Sequence, residues 1–228
     1  MADEITLPPI PQMALNVPVG GRHAGVLFAG CPDLIGTPFG YTREEEIYGE
    51  GEEAEFVYKV VSGAVRTHKM LNDGRRQITG FHLPGDLFGF EHGESHRQTA
   101  EALSDTRVLI FGRRQIERAA TDRAEVACRL WSMATTSLRQ AQDHMILLGR
   151  RSAAERVAAF LIEVDERLGG IGTFALPMTR RDIADFLGLT IETVSRTLSQ
   201  LEEDGALQRV GGRQVSLRRA RLRRVVED

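Results

Sequence analysis

Hydrophobic and polar positions alternate along residues 46–111, and this pattern predicts short β-strands. Phe56, Tyr58 and Val60 follow one another at every second position, as the inward side chains of a strand do. The tripeptide Asn72-Asp73-Gly74 is a strong signal for the turn of a β-hairpin. Short strands broken by glycine turns at roughly ten-residue spacing are typical of an all-β sandwich or barrel.

The pattern becomes helical from about Arg113, and neither Gly nor Pro interrupts the segment from Asp122 to Leu148. One apolar row repeats at alternating steps of four and three residues, the heptad spacing of a coiled-coil seam. It comprises Ala127, Trp131, Ala134, Leu138, Ala141, Met145 and Leu148. A second row beside it predicts two neighbours, the β domain and a second copy of the chain. This row comprises Leu130, Met133, Ser137, Gln140, His144 and Leu147. The alternative is a one-sided core helix of a monomer, but a length of about 40 Å favours the dimer seam.

Residues 177–205 predict two short helices joined by a tight turn. Thr179 and Asp182 have the spacing of a capping box, and Gly188 is a suitable C-cap for the first helix. Thr190 is the expected N-cap of the second helix. The buried stripe of that helix is formed by Val194, Leu198 and Leu201. This is the pattern of a helix-turn-helix, whose second helix enters the DNA major groove.

The opposite face of the second helix carries residue types that read base edges, namely Glu192, Ser195 and Arg196. Arginine bonds guanine bidentately, glutamate accepts a bond from cytosine, and serine can donate or accept. The alternative interpretation is a solvated face with a Glu192–Arg196 ion pair one turn apart. Two short strands joined by Gly211-Gly212 follow, and they predict the wing of a winged helix.

Composition and charge indicate which part of the chain is suited to bind phosphate and in which compartment we expect the protein. The net charge is −3, but the part after residue 150 carries an excess of arginine over acidic residues, which favours that part for phosphate binding. No apolar run is long enough for a membrane span, and no secretory signal is visible. Cys31 and Cys128 have no zinc-site spacing, so we expect a reducing, cytoplasmic location. Whether either cysteine is redox-active stays open.

Three contiguous stretches carry a resemblance to a known family. They are QITGFHLPGDLFGF (Gln77–Phe90), DHMILLGRRSAAERVAAFL (Asp143–Leu161) and LTIETVSRTL (Leu189–Leu198). Together with the order of β domain, long helix and winged helix, they resemble the CRP/FNR family of bacterial transcription regulators, most of all its FNR/FixK branch. The resemblance covers about residues 46–217.

The patterns and the resemblance together predict an α+β fold. It consists of an N-terminal antiparallel β-roll of the cupin-like jelly-roll type, a long dimerisation helix and a C-terminal winged helix-turn-helix. The expected boundaries are 1–121 for a lead-in and sensor-like β-roll, 122–149 for the dimerisation helix and 150–228 for the DNA-binding domain. Residues 1–40, rich in proline and glycine, are expected to form an irregular lead-in.

The resemblance also implies partners and contact residues. It implies a homodimer that binds double-stranded palindromic promoter DNA with TTGA-like half-sites and contacts RNA polymerase, with no membrane partner. Glu192, Ser195 and Arg196 match the base-reading positions of the family. The positions that match phosphate contacts, which set register rather than sequence, are Thr179, Arg180, Thr190 and Thr193. The loop that matches a polymerase contact comprises Asn72, Asp73, Gly74 and Arg75; the alternative is a plain hairpin turn.

Departures from the family pattern argue against a cyclic nucleotide. Phe90 stands where cyclic-AMP receptors have a phosphate-binding Glu, and His96 and Arg97 align with their Arg-Ser pair. The positions that meet adenine are Ala141 and Gln142. Because an anionic phosphate needs fixed donors and an apolar Phe supplies none, cyclic nucleotide binding is not expected.

An iron–sulfur centre is not expected either. Such a centre needs about four thiolates, whereas the lead-in has only Cys31 and the β-roll position is Leu109. The resemblance that remains is to FixK-like regulators, which usually lack a bound sensory cofactor or metal. It implies an activator that controls microaerobic or anaerobic respiration or nitrogen-fixation genes and binds DNA without an effector.

Two other functions stay as alternatives. One is a ligand- or haem-responsive sensor of the same scaffold, for which the possible axial ligands are His68, His82, His92, His96 and His144. We expect His92 and His96 to lie in a solvated loop. The other is an enzyme with an accessory winged helix, but the β domain has no nucleophile–base pair, phosphate loop or metal triad in its pattern.

Overall fold

A computed structural model describes residues 27, 28, 31, 34–150 and 152–227. The strands in this part are β1 (Thr37–Tyr41), β2 (Glu46–Tyr48), β3 (Phe56–Ser62), β4 (Val65–Met70), β5 (Arg76–His82), β6 (Leu87–Phe88), β7 (Thr99–Ala102), β8 (Thr106–Gly112), β9 (Thr173–Ala175), β10 (Leu207–Gly211) and β11 (Gln214–Leu217). The helices are α1 (Arg113–Asp122), α2 (Ala124–Arg150), α3 (Ala153–Arg167), α4 (Arg180–Leu187), α5 (Ile191–Glu203) and α6 (Arg219–Glu227).

The N-terminal half forms two antiparallel four-stranded sheets that enclose a core. The first has the order β1-β8-β3-β6 and the second β2-β7-β4-β5. Alternate residues of a strand face opposite sides of its sheet. Val60 and Val108 of the first sheet are therefore buried together with Val65 and Ala100 of the second, whereas Val57 and Phe111 are buried on the other face of the first sheet. The predicted hairpin at Asn72-Asp73-Gly74 joins β4 to β5, and Gly74 has the positive φ (81°) that this turn requires. The predicted antiparallel β-roll is confirmed.

The lead-in is less irregular than expected. Strand β1 begins at Thr37 and pairs with β8, with Thr37 opposite Ile110. Leu27, Cys31 and Leu34 are buried on the outer face of the first sheet, in one cluster with Phe111 and Ile116. The expectation of an irregular stretch up to residue 40 is therefore wrong for residues 37–40, which belong to β1. The rest of that expectation falls mostly outside the described residues.

The long helix starts two residues later than predicted. A separate helix, α1, ends at Asp122, and Arg123 adopts an extended conformation before α2 begins at Ala124. Helix α2 is anchored near its ends, where Val126 and Leu147 are buried, while residues 134–143 are all exposed. The β domain thus does not cover the middle of the second apolar row, contrary to the prediction. Within the described part of the chain, no helix combines the length and apolar character needed to cross a bilayer.

The C-terminal part is a winged helix-turn-helix built on α3. Ser152 caps α3, and the helix packs against α5 and α6. The two predicted wing strands pair with each other, and β9 adds a third strand in the order β10-β11-β9. The closing basic segment forms α6, which is held to the domain by the fully buried Leu222.

Candidate nucleic-acid interface

Local hydrogen bonds fix both helices of the helix-turn-helix. The amide of Thr179 donates to Asp182 Oδ2 (2.8 Å), and the amide of Asp182 donates to Thr179 Oγ1 (3.1 Å), which completes the predicted capping box. Gly188 ends α4 with a left-handed backbone (φ 62°), as a C-cap glycine does. The amide of Thr193 donates to Thr190 Oγ1 (3.1 Å) at the start of α5. The two helices and their turn therefore follow from short-range sequence signals.

The outer face of α5 is open to solvent. Val194, Leu198 and Leu201 are buried beneath the helix, as predicted. Glu192 and Arg196 are exposed on the other side, and among the described residues no ion pair joins them. The solvated Glu192–Arg196 pair is therefore not formed.

Ser195 lies half-buried between Glu192 and Arg196. Arg180 Nη1 donates to Ser195 Oγ over 3.3 Å. This bond links the start of α4 to the outer face of α5, so the two predicted contact groups are adjacent. The serine hydroxyl keeps a free donor and a further lone pair with which it can contact a base.

The four predicted phosphate-contact residues gather at the beginnings of α4 and α5. Arg180 and Thr190 are exposed, and Thr179 and Thr193 are half-buried. The hydroxyl oxygens of Thr190 and Thr193 lie 3.0 Å apart. Helix N-termini present unpaired amides and a positive dipole end, and both favour a phosphate. The structure brings these residues together on one edge, but their contact with DNA stays a prediction.

The wing contains candidate contacts that the sequence prediction did not name. Arg213 lies exposed at the turn between β10 and β11, and its Nη1 donates to the carbonyl of Pro177 (3.1 Å). Arg209 on β10 forms an ion pair with Glu202 of α5, and its guanidinium is thereby engaged within the domain. The sequence feature that could have identified Arg213 is its position directly after Gly211-Gly212, in the turn between the two wing strands.

The predicted dimer seam is an exposed apolar row on α2. Trp131 is 74% exposed, Leu138 58% and Met145 63%, whereas Leu148 is half-buried against the winged helix. Ala127, Ala134 and Ala141 are also exposed. Ile146, which the prediction omitted, is exposed beside this row. Exposed large apolar side chains in a continuous row are typical of an interaction surface.

The predicted polymerase loop is an exposed hairpin tip. Asn72, Asp73 and Gly74 are all solvent-exposed, and Arg75 forms an ion pair with Asp73. The loop borders a cleft of about 1010 Å³ on whose far side lie Thr179, Thr190 and Thr193. The polymerase contact stays a prediction.

The β-roll differs from expectation around His96. This side chain is buried and stacks on Tyr48 with ring centroids 3.6 Å apart, and its Nδ1 lies 3.6 Å from Glu91 Oε1. His92 is exposed, so the expected solvated loop is right for His92 and wrong for His96. Phe90, at the phosphate position of the cyclic-AMP receptors, is half exposed. In the described ranges, no group of three or more His, Cys, Asp or Glu side chains is arranged to hold a metal ion.

Comparisons with known proteins agree with this architecture. Residues 39–123 match the cyclic nucleotide-binding domain family, and residues 155–225 match the Crp-like helix-turn-helix domain family. The chain is 48% identical to the nitrogen fixation regulation protein FixK of Azorhizobium caulinodans, over 84% of this chain and 79% of that protein. It is 46% identical to the transcriptional activatory protein AadR of Rhodopseudomonas palustris, over 72% and 70% of the two chains. The structure of FixK2 from Bradyrhizobium japonicum superposes with a TM-score of 0.81 at 57% identity, covering 84% of this chain and 98% of that one.

The β-roll, the long helix and the winged helix-turn-helix define a DNA-binding transcription regulator. The chain belongs to the CRP/FNR family and, within it, to the FixK-like regulators.

Proposed function

We propose that this protein is a homodimeric activator that reads palindromic promoter sites with TTGA-like half-sites and contacts RNA polymerase. The observation that carries the proposal is the open outer face of α5, where Glu192 and Arg196 are exposed on a helix whose caps and buried stripe are complete. A two-fold axis along α2 would present two such faces about one helical turn of DNA apart. The relative named as nitrogen fixation regulation protein FixK supports a role in the control of nitrogen fixation, and the transcriptional activatory protein AadR supports a role as an activator.

The proposed contacts divide into two classes. Arg196, Glu192 and Ser195 read base edges in the major groove. Thr179, Arg180, Thr190 and Thr193 bind phosphates and set the register of α5. The loop at residues 72–75 serves the polymerase contact, since its tip is exposed on the β-roll.

We propose that DNA binding needs no bound cofactor and that the protein has no catalytic activity. Phe90 offers no donor to a nucleotide phosphate, and the buried His96 is engaged with Tyr48 rather than facing an open cavity. The protein would then act in the cytoplasm, with its activity set by how much of it is present.

The direct test is the affinity of the purified protein, without added ligand, for a TTGA-type palindrome and for a scrambled duplex at one fixed salt concentration. We expect a preference of about 10³-fold or more for the palindrome, the lower range for specific DNA binding. Equal affinities would contradict the proposal. Binding that appears only with haem, together with a Soret absorbance band, would support the sensor alternative. Genome-wide binding of a tagged copy would then identify the target genes.

A further inference from the structure

A buried cluster of charges joins the β-roll to the first helix of the helix-turn-helix. Arg66 on β4 is buried, and its Nη1 donates to Asp182 Oδ1 of α4 over 2.8 Å. Its Nε donates to Glu101 on β7 (2.9 Å) and its Nη2 to Glu44 (3.0 Å). One guanidinium therefore connects α4 to two separate segments of the β-roll.

Two neighbouring residues of β5 extend this cluster. Arg76 Nη2 donates to Asp182 Oδ1 (2.8 Å) and to Asp185 Oδ2 (2.9 Å). The side-chain amide of Gln77 donates to the carbonyl oxygen of Asp185 (2.8 Å). We call Arg66, Arg76 and Gln77 together with Asp182 and Asp185 the cross-domain latch.

Two charges of the latch are buried, those of Arg66 and Asp182, whereas the side chains of Arg76 and Asp185 are 20% and 23% exposed. Asp182 is 1% exposed. Burial raises its pKa, but two hydrogen bonds from Thr179 and the nearby Arg66 and Arg76 outweigh burial and keep the pKa below its ordinary value. The carboxylate therefore stays ionised, and a partner of such a buried charge is costly to remove.

The latch affects the orientation of α5, the helix that carries the base-reading candidates. Asp182 also belongs to the capping box of α4, and α4 is joined to α5 by a short turn at Gly188. Apolar contacts support the same docking, because Phe81 of β5 lies 5.0 Å from the ring of Phe186 on α4. Apolar contacts are not directional, whereas ion pairs and hydrogen bonds have preferred geometry, so the latch sets the angle of the docked domain.

The docked arrangement leaves the DNA-reading face free. Glu192 and Arg196 are exposed, and neither borders the cleft between the hairpin and the helix-turn-helix. The latch is therefore compatible with DNA binding, and it does not block the outer face of α5.

We propose that the latch positions the two recognition helices of the dimer for simultaneous entry into the two half-sites. Arg66, Arg76 and Asp185 are thus positioning residues that do not touch DNA. This inference rests on the proposed function, in which a dimer reads a palindrome. After one recognition helix has bound, a second DNA-binding domain held at a fixed angle reaches its half-site without a further loss of orientational freedom. The latch thereby raises the effective concentration of the second recognition helix at that half-site.

The test compares Arg76→Gln and Asp185→Asn with the matched control Arg118→Gln. Arg118 lies exposed on α1 and belongs to none of the proposed contact groups. Each variant is titrated with the palindrome, with a single half-site and with palindromes whose spacer is lengthened or shortened. We expect the two latch variants to lose about tenfold in affinity for the palindrome and less than about twofold for the half-site, with weaker discrimination between spacers. Arg118→Gln is expected to match the wild type.

Equal losses on palindrome and half-site, unchanged spacer discrimination, or tighter palindrome binding would each overturn the inference. Circular dichroism and native mass establish that every variant is folded and dimeric.

A wild-type protein that binds the palindrome no better than the half-site would instead refute the proposed dimeric function. The latch is then judged by limited trypsin digestion at the Arg150-Arg151 linkage between α2 and α3. Faster cleavage of Arg76→Gln than of Arg118→Gln supports a latch, and equal rates overturn it.

Discussion

Individual side chains of the helix-turn-helix divide between holding the helices and facing outward. Thr179 and Thr190 use their hydroxyls as helix caps, so their loss would weaken the helices as well as any phosphate contact. Arg196 has no ion-pair partner among the described residues and extends into solvent. A free guanidinium on an ordered helix is suited to a bidentate contact with guanine.

The substitution Arg196→Ala should weaken binding to the palindrome by about 1–3 kcal/mol per half-site and relax the preference for guanine at one position, because a bidentate base contact is lost. Competition titrations against a set of single-base variants of the half-site measure both effects. Arg224→Ala removes the same charge from an exposed position on α6 and serves as the control. A uniform loss on specific and random DNA would show that Arg196 contacts a phosphate instead.

Among the elements, α2 is unusual because both of its ends are packed against the rest of the chain, whereas its middle is exposed to solvent. Val126 and Leu147 are buried at the two ends, while Trp131 and Leu138 lie exposed between them. A single chain gains little from ordering an exposed helix of 27 residues. A second copy packed along the same row would bury these side chains, and this burial would offset the entropy lost in ordering the helix.

The substitution Leu138→Glu should therefore separate the dimer. Two unpaired carboxylates in an apolar seam cost more than about 3 kcal/mol, because neither charge has a partner. Sedimentation at micromolar concentration is expected to give the monomer mass, and palindrome affinity should fall to that of a half-site. Thr136→Glu adds the same charge on the opposite side of the helix, where Thr136 is exposed, and should leave the dimer intact. A dimeric Leu138→Glu protein would contradict the predicted seam.

The whole molecule carries several neutral, desolvated histidines in different regions. Burial lowers the pKa of His68 and His96 in the β-roll and of His144 on α2. The largest effect is at His82, where burial lowers the pKa to about 4 despite the opposing influence of Asp86. Each of these groups takes up a proton more readily in the unfolded chain than in the folded protein, so acid favours unfolding.

The free energy of unfolding should fall between pH 7 and pH 5. The contribution of neutral His82 is complete above its unfolded pKa of about 6.5 and is lost as the pH decreases from there toward 4. His82 alone should account for about 2 kcal/mol of the difference between pH 7 and pH 5. Urea unfolding at the two values measures it. His82→Gln should reduce the pH dependence, and equal slopes for His82→Gln and wild type would contradict the assignment.

Much of the fold could be predicted because its signals are local. The capping box at Thr179, the C-cap at Gly188, the hairpin at Asn72-Asp73-Gly74 and the stripe of α5 each depend on residues within a few positions of one another. Hydrogen bonds and periodicity of this range can be recognised in the sequence without knowledge of any tertiary contact. The base-reading candidates follow from the same signals, since the buried stripe of a helix also defines its opposite face.

The sequence by itself determined the order of domains, the helix-turn-helix and the heptad row of α2. Only the tertiary structure decided the features that depend on distant residues. Strand β1 exists because Thr37 pairs with Ile110, and β9 because Phe174 pairs with Val215. The latch joins Arg66 to Asp182 across 116 positions. No local pattern encodes such a contact, because the partners of a strand edge or a buried charge are chosen by packing, and packing is set by the whole fold.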